Sequence, residues 1–409
     1  MKRYGGVLAV LFMFFVVLGF ALAPQPVSAE SVGTVAQAAA GQNYTNILDG
    51  LKYEKSIHIL AMLLIGFGFL MVFVRKHGFG SVTATFLVVS SALPLYMWLR
   101  SFGADNFQIP MVSIDSFILA EFAAASLLIA IGAPLGRMKM HQYVMMAGLF
   151  IPAYILNEWL LLNSGLFKGF LDTGGSVVIH AFGAYFGLGV VSGTLKLFAN
   201  KPGIENDKNS NQYCLIGSMM LWIFWPSFTS ALVSPEQTAL TAINTVFALC
   251  GATLSTFLIS TKMRGKIEIE DIANAALAGG VAIGSACNMA SPGLAIAIGL
   301  VAGALSTFGY VVISPRLEKF IKGTDTCGIN NLHGMPGILG GLAGILITGQ
   351  AGVQILGIVV TVVIAFVLGK ISGVIIRYTG EKQVPYSDED EFAIEHEGPV
   401  ITAVQGKTS

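Results

Sequence analysis

The feature that most constrains this chain is a series of long apolar runs that contain almost no charge. A hydrocarbon layer takes about 20 helical residues to cross. Runs of that order fall near 57–74, 81–99, 114–134, 142–162, 174–198, 213–233, 239–261, 271–289, 293–313, 330–348 and 352–376. Each is too long for a strand and none alternates in period two, which argues against a membrane barrel. Charged residues make up only 11% of the 409 positions, and mean hydropathy is +0.73. A soluble domain carries about 25% charged residues. The expectation is an all-α polytopic membrane protein of eleven transmembrane helices embedded in a lipid bilayer. The 48 glycines suit helices that pack backbone against backbone.

Lys and Arg set an expected direction. With the mature N-terminus outside, 17 of the 23 basic residues fall on the inner side and four on the outer: Lys52, Lys55, Arg100 and Lys168. The other two are Lys2 and Arg3, ahead of the first span. Cationic loops stay on the cytoplasmic side. This places the protein in an inner (plasma) membrane, N-terminus outside and C-terminus cytoplasmic, with an odd number of spans.

The ends read differently. Lys2 and Arg3, the apolar stretch Val7 to Ala23, and Val27-Ser28-Ala29 form a signal-peptide pattern, so residues 1–29 are expected to be cleaved, with an uncleaved first helix as the alternative. Residues 30–56 are expected as an outer N-terminal segment, and 57–378 as the transmembrane domain with halves near 57–233 and 239–348. Residues 379–409 form an acidic cytoplasmic tail containing Asp388-Glu389-Asp390-Glu391. The tail reads as a solvated end, and the sharper alternative is a regulatory docking segment.

Zero net charge gives no reason to expect a nucleic-acid partner. Cys214, Cys250, Cys287 and Cys327 have no paired spacing and read as packing thiols, not a disulfide framework. The sequence contains no nucleophile–base pair, phosphate loop or cofactor motif, so an enzyme, a catalytic residue and a cofactor are not expected.

One pattern occurs twice. Asp172-Thr-Gly-Gly175 is followed by His180, and Asp325-Thr-Cys-Gly328 by His333. The Asp-to-His offset is the same in both copies. The copies open the fifth and tenth spans, five spans apart, so they enter from opposite faces. That is an inverted repeat, whose substrate sites lie near the midplane. At 1.5 Å per residue each His lies about 12 Å below its own face. In a layer about 30 Å thick the two would sit about 6 Å apart along the normal, close enough to touch. Ionisable groups buried in a membrane usually line a pathway. Two His do not complete a zinc shell, so no metal site is expected. Asp172 and Asp325 stand where a helix N-cap is wanted, and support of that helix is the leading reading, with cation binding as the alternative.

These residues also carry a family resemblance. Asp172-Thr-Gly-Gly-Ser-Val-Val-Ile-His-Ala-Phe-Gly-Ala-Tyr-Phe-Gly187 and Asp325-Thr-Cys-Gly-Ile-Asn-Asn-Leu-His-Gly-Met-Pro-Gly337 resemble the fifth- and tenth-span motifs of Rhesus (Rh) proteins, which belong with the Amt and Mep ammonium transporters. Trp225-Pro-Ser-Phe228 and Asn274-Ala-Ala-Leu-Ala-Gly-Gly-Val-Ala-Ile-Gly284 are similar to them too. The resemblance implies two inverted five-helix repeats plus an eleventh helix, one pore per subunit and a homotrimer. It implies twin pore histidines at His180 and His333, and an outer gate of stacked Phe122 and Phe228. It also implies ammonia or ammonium as the substrate, with methylammonium or carbon dioxide as further cargo. Leu232 stands where Amt proteins carry a serine of their external cation site, and no tryptophan stands near the expected outer end of the third span, where Phe122-Ala-Ala-Ala-Ser126 follows Glu121. In place of that site, Glu121 and Glu158 are candidates for raising ammonium concentration at the mouth. Simple interfacial placement is the equal alternative for both.

A channel of this kind would conduct neutral ammonia after ammonium loses its proton at the outer vestibule. A neutral molecule crosses an apolar pore at far smaller cost than a cation. Each neutral imidazole offers one donor and one acceptor nitrogen to a molecule stripped of water. A carbon dioxide channel, a proton-coupled ammonium transporter and an ammonium sensor are the alternatives.

Overall fold

Eleven helical segments follow one another among the described residues, and their order matches the apolar runs. The computed structural model describes residues 41–74, 77–102, 107–194, 206–379 and 387–393. The proposed signal peptide and most of the tail lie outside these residues. The helices are α1 (41–73), α2 (Gly78–Ser101), α3 (Ile114–Gly132), α4 (Met140–Asn163), α5 (Ser176–Gly193), α6 (Lys208–Thr229), α7 (Pro235–Arg264), α8 (269–286), α9 (Pro292–Ile321), α10 (330–348) and α11 (Ala351–Arg377). No strand occurs among the described residues. Eight of the eleven are long and apolar enough to span a bilayer by length and composition alone. The other three, α6, α8 and α10, fill out the two halves.

Two expectations need correction. The first apolar run begins at 57, whereas α1 is already helical from Gly41. The helix outlasts its apolar run because its polar first turns find partners. Lys52 pairs with Asp115 at 2.6 Å, and the Lys55 ammonium donates to the Ser230 carbonyl at 2.7 Å. The eighth span was read as one helix, but α8 is interrupted by tighter turns at Ala275–Leu277 and Gly284–Ala286. That second turn frees the Gly284 carbonyl, which accepts the Gly174 N–H at 2.8 Å.

The inverted repeat is visible in the backbone. The loop before α5 bonds to Gly284, near the end of α8. In the other half, the loop before α10 bonds to the end of α3: Thr326 N–H to the Ala133 carbonyl and Cys327 N–H to that of Gly132, each at 3.1 Å. Counted as two five-helix repeats, α1–α5 and α6–α10, the third helix of each thus receives the re-entering chain of the other.

α5 is the innermost helix, with every residue but Tyr185 buried. α11 lies directly against it. A Cβ at Gly189 would meet the Phe366 carbonyl oxygen at 2.4 Å, and one at Gly369 would meet that of Phe186 at 2.1 Å. Only paired glycines allow this approach, the membrane rule of small residues at helix contacts.

Candidate functional site

The site is built by the two Asp-Thr-x-Gly turns. Gly175 and Gly328 both hold positive φ, at 76° and 65°, a region glycine enters without a Cβ clash. Each turn is closed by the glycine N–H donating to the carbonyl of the leading aspartate at 3.1 Å. The reversal brings each carboxylate over the start of the next helix. Asp172 accepts from the N–H groups of Val177 at 3.1 Å and Val178 at 2.7 Å, and from the Ser285 hydroxyl at 2.6 Å. Asp325 accepts from the N–H groups of Ile329 and Asn330, both at 3.0 Å. These carboxylates satisfy otherwise orphaned donors at two helix starts. The geometry supports the structural reading of both.

Both histidines sit on π-helical turns, Ser176–Ala181 and Asn330–Gly334. Sequence reasoning assumed regular helix and missed this. A π-turn re-aims a side chain relative to an α-helix and recurs at functional sites. The two imidazoles meet with Nδ1 to Nδ1 at 3.2 Å, their planes 7° apart. One ring donates and the other accepts, so a single proton lies between the two nitrogens. Each His is 3% exposed. The Nε2 of His180 is buried without a protein partner. The rough depth estimate anticipated contact, and the rings do touch.

Two small cavities flank the pair. One, of about 10 Å³, is lined by Met62, Leu63, Phe67, Ala125, His180, Leu221, Trp225 and Phe228. The other, of about 20 Å³, is lined by Phe67, Leu70, Met71, Phe73, Gly132, Asn274, Cys327, Leu332 and His333, among others. A cavity of about 10–15 Å³ holds one water-sized molecule. Almost every other lining group is apolar.

Aromatic rings frame the pair at both ends. Trp225 stacks on His180 at 5.6 Å, and Phe67 stacks on His333 at 6.4 Å. Phe228 stands 6.1 Å from His180 and meets Phe122 at 4.6 Å. The two phenylalanines were expected to be stacked, but their planes are tilted by 54°. In the sequence Trp225 stands out only as part of a motif, and Phe67 carries no signal because it lies in an unremarkable apolar run.

The two glutamates do not stand open at a mouth. Glu158 is buried, accepts from the Tyr96 hydroxyl at 2.8 Å and pairs with Arg100 at 2.5 Å. The Arg100 guanidinium also covers the Phe107 ring at 3.6 Å and donates to the Phe107 carbonyl at 3.0 Å. Glu158 therefore ties α4 to the end of α2, and its charge is already matched. Glu121 is fully buried beside Phe122 and accepts from the Ser56 hydroxyl at 2.9 Å. Glu121 thus ties α3 to α1, as Glu158 ties α4 to α2. Among the described residues no group of three or more His, Cys, Asp and Glu could hold a metal ion.

A multi-pass helical protein with inverted halves and a buried polar pair where the halves meet has the architecture of a membrane channel or transporter. Comparison with known proteins narrows this. A sequence model of the Ammonium Transporter Family matches residues 36–397. The "Ammonium transporter Rh type B" of Homo sapiens is 37% identical over 398 residues, covering 87% of this chain and 83% of the relative. That of Bos taurus is 42% identical over 313 residues, covering 73% and 67%. The solved Rh50 structure of Nitrosomonas europaea superposes with a TM-score of 0.83 at 50% identity, covering 87% of this chain and 94% of the other. This chain belongs to the ammonium transporter family, the Amt/Mep/Rh group of membrane channels and transporters, which are not enzymes.

Proposed function

We propose that this chain is a channel that passes neutral ammonia, with His180 and His333 as the polar stepping stones of an otherwise apolar path. The observation that carries this reading is the hydrogen-bonded imidazole pair between two cavities of single-molecule size. Ammonium arrives at the outer side and loses its proton before the Phe122–Phe228 constriction, because a bare cation is far too costly in the apolar cavities beyond it. Ammonia leaves its hydration behind, hydrogen-bonds to the paired rings in turn and is rehydrated on the inner side. The pair has both a donor and an acceptor to offer, which suits a molecule with three N–H groups and one lone pair. Potassium, which cannot become neutral by losing a proton, is excluded. Asp172 and Asp325 hold the turns that aim the two rings.

The orientation in this reading is N-terminus outside and C-terminus cytoplasmic in an inner membrane, supported by the 17-to-4 distribution of basic residues. Residues 1–29 act as a cleaved signal peptide, and three subunits assemble as a homotrimer, each with its own path.

Stopped-flow fluorescence on proteoliposomes with a trapped pH dye tests the proposal. Under an inward ammonia gradient, the intact protein should alkalinise the interior faster than empty vesicles, and His180→Ala or His333→Ala should slow it or relax selectivity. No acceleration by well-incorporated protein removes the ammonia reading and brings carbon dioxide conduction or sensing forward. Unchanged flux and selectivity in both His variants removes the histidines from the path.

A further inference from the structure

α7 and α9 cross closely because glycine lets them. A Cβ at Gly303 would strike the Ala252 carbonyl, and one at Gly251 would meet the Ile296 carbonyl oxygen at 2.5 Å. Beside and past this crossing the two helices leave an open groove of about 740 Å³. Ile259 and Lys262 of α7 line it, with Val301, Leu305 and Phe308 of α9. Val301 is 54% exposed and Phe308 43%, so nothing within the chain covers them. A second groove of about 360 Å³ follows on α9, where Val311, Val312, Arg316 and Lys319 line it. The lining positions 301, 305, 308, 312, 316 and 319 recur every three or four residues, so the two grooves continue down one side of the helix.

This face is apolar at one end and cationic at the other. From Leu300 to Val312 the helix covers about 18 Å. Half of a bilayer with its headgroups is about 20 Å. The Arg316 guanidinium folds back and donates to the Val312 carbonyl at 2.7 Å, so its charge stands at that level. Among the described ion pairs, none engages Lys262, Arg316 or Lys319. An apolar groove one leaflet deep that ends in unmatched cations fits a phospholipid with an anionic headgroup. Basic pockets between transmembrane helices take such headgroups.

The other side of α9 grips the turn that carries His333. α9 contains a π-turn at Gly309–Ile313. There the Tyr310 hydroxyl donates to the carbonyls of Cys327 and Gly328, each at 3.2 Å. The Asn331 amide, two residues before His333, donates to the Ser314 hydroxyl at 2.6 Å. A Cβ at Gly309 would meet the Asn331 Oδ1 at 2.7 Å. The same π-turn contributes Val311 and Val312 to the groove. A molecule seated there therefore bears on the backbone that aims His333.

We propose that the α7–α9 groove binds one anionic phospholipid and that its occupancy braces the π-turn of α9 and the His333 turn behind it. The chain lies along Val301, Leu305 and Phe308, and the phosphate meets Lys262 and Arg316. The leaflet is the inner one under the orientation proposed above, and the effect on passage rests on the ammonia-channel reading. The binding itself rests on neither.

The experiment uses the full chain in phosphatidylcholine vesicles. Phe308→Trp is compared with the unmodified chain, and the added fluorescence is quenched by phosphatidylglycerol or phosphatidylcholine brominated on its chains. Saturable quenching by a small fraction of phosphatidylglycerol is the expected result. Lys262→Ala/Arg316→Ala should weaken it about tenfold or more. Equal quenching by the two lipids, or quenching indifferent to the alanines, overturns the site. Quenching by neither lipid also overturns it, because a second copy of the chain then covers the groove. In parallel, phosphatidylglycerol added to the vesicles should raise ammonia flux several-fold. Lys262→Ala/Arg316→Ala and Tyr310→Phe should each remove that rise, and Tyr310→Phe should leave the quenching intact. Flux indifferent to phosphatidylglycerol, or a rise that survives Tyr310→Phe, overturns the bracing. If the unmodified chain fails to outpace empty vesicles of either composition, the channel reading falls together with the effect on passage, while the quenching still decides the site.

Discussion

Removal of the Asp172 carboxylate should cost stability and conduction together, and more of both than removal of Asp325. Asp172 accepts hydrogen bonds from two backbone N–H groups and from the Ser285 hydroxyl, whereas Asp325 accepts from two backbone N–H groups. Each donor left buried without a partner costs about 1–3 kcal/mol. With some relaxation of the turn, Asp172→Ala should lose about 3–6 kcal/mol and Asp325→Ala about 2–4 kcal/mol. The donors at stake are the N–H groups of Val177 and Val178, two to three residues before His180, so the loss falls on the segment that aims the ring. The assay is denaturant unfolding in detergent paired with vesicle flux per incorporated protein. Asp172→Asn is the informative companion, because it keeps an acceptor oxygen and removes the charge. If the carboxylate only holds the turn, Asn recovers part of both stability and flux. Abolished flux in the Asn variant at near-native stability would refute this reasoning and restore the cation-binding reading of Asp172.

Further perturbations separate the path from its scaffold. Arg100→Ala strands the buried Glu158 carboxylate and should destabilise by about 3–5 kcal/mol, yet flux per folded protein should be nearly unchanged, since neither group lines the cavities beside the histidines; unfolding and flux on the same preparation check this. Cys327 lines the cavity beside His333, so a small mercurial reaching that cavity should slow flux, and Cys327→Ala should abolish that sensitivity. At Gly187 a Cβ would meet the Ala130 carbonyl oxygen at 2.4 Å, so Gly187→Val should force α3 and α5 apart and lose about 1–3 kcal/mol or more, read by thermal unfolding in detergent.

The course of the chain was legible because the constraints that set it are local. Apolar length fixes a span, and the expected runs fall on the observed helices, with α3 found at Ile114–Gly132 against an expected 114–134. The contact of His180 with His333 was legible in the duplicated Asp-Thr-x-Gly-to-His spacing, because symmetry converts a sequence offset into a depth. What escaped the sequence depends on partners far along the chain. Nothing near Glu158 announces that Arg100 will match its charge and Tyr96 will donate to it, 58 and 62 positions away. The π-turns of the two histidines follow from carboxylates and glycines acting together, which hydrophobic periodicity does not register. The break in α8 answers to Gly174 in the turn before α5. The acidic tail reads as solvated by composition, yet Asp388 accepts from the Phe79 N–H at 2.8 Å and Glu391 from the Met140 N–H at 3.1 Å, at the starts of α2 and α4.

The central claim is that the molecule crossing the His180–His333 pair is neutral. The most direct test follows interior pH and membrane potential at the same time in tight proteoliposomes after an inward ammonium step. The account predicts faster interior alkalinisation with no protein-dependent change in potential, and a loss of that alkalinisation in His180→Ala. A potential change that grows in proportion to the nitrogen moved would contradict it, because each molecule would then be crossing with its charge.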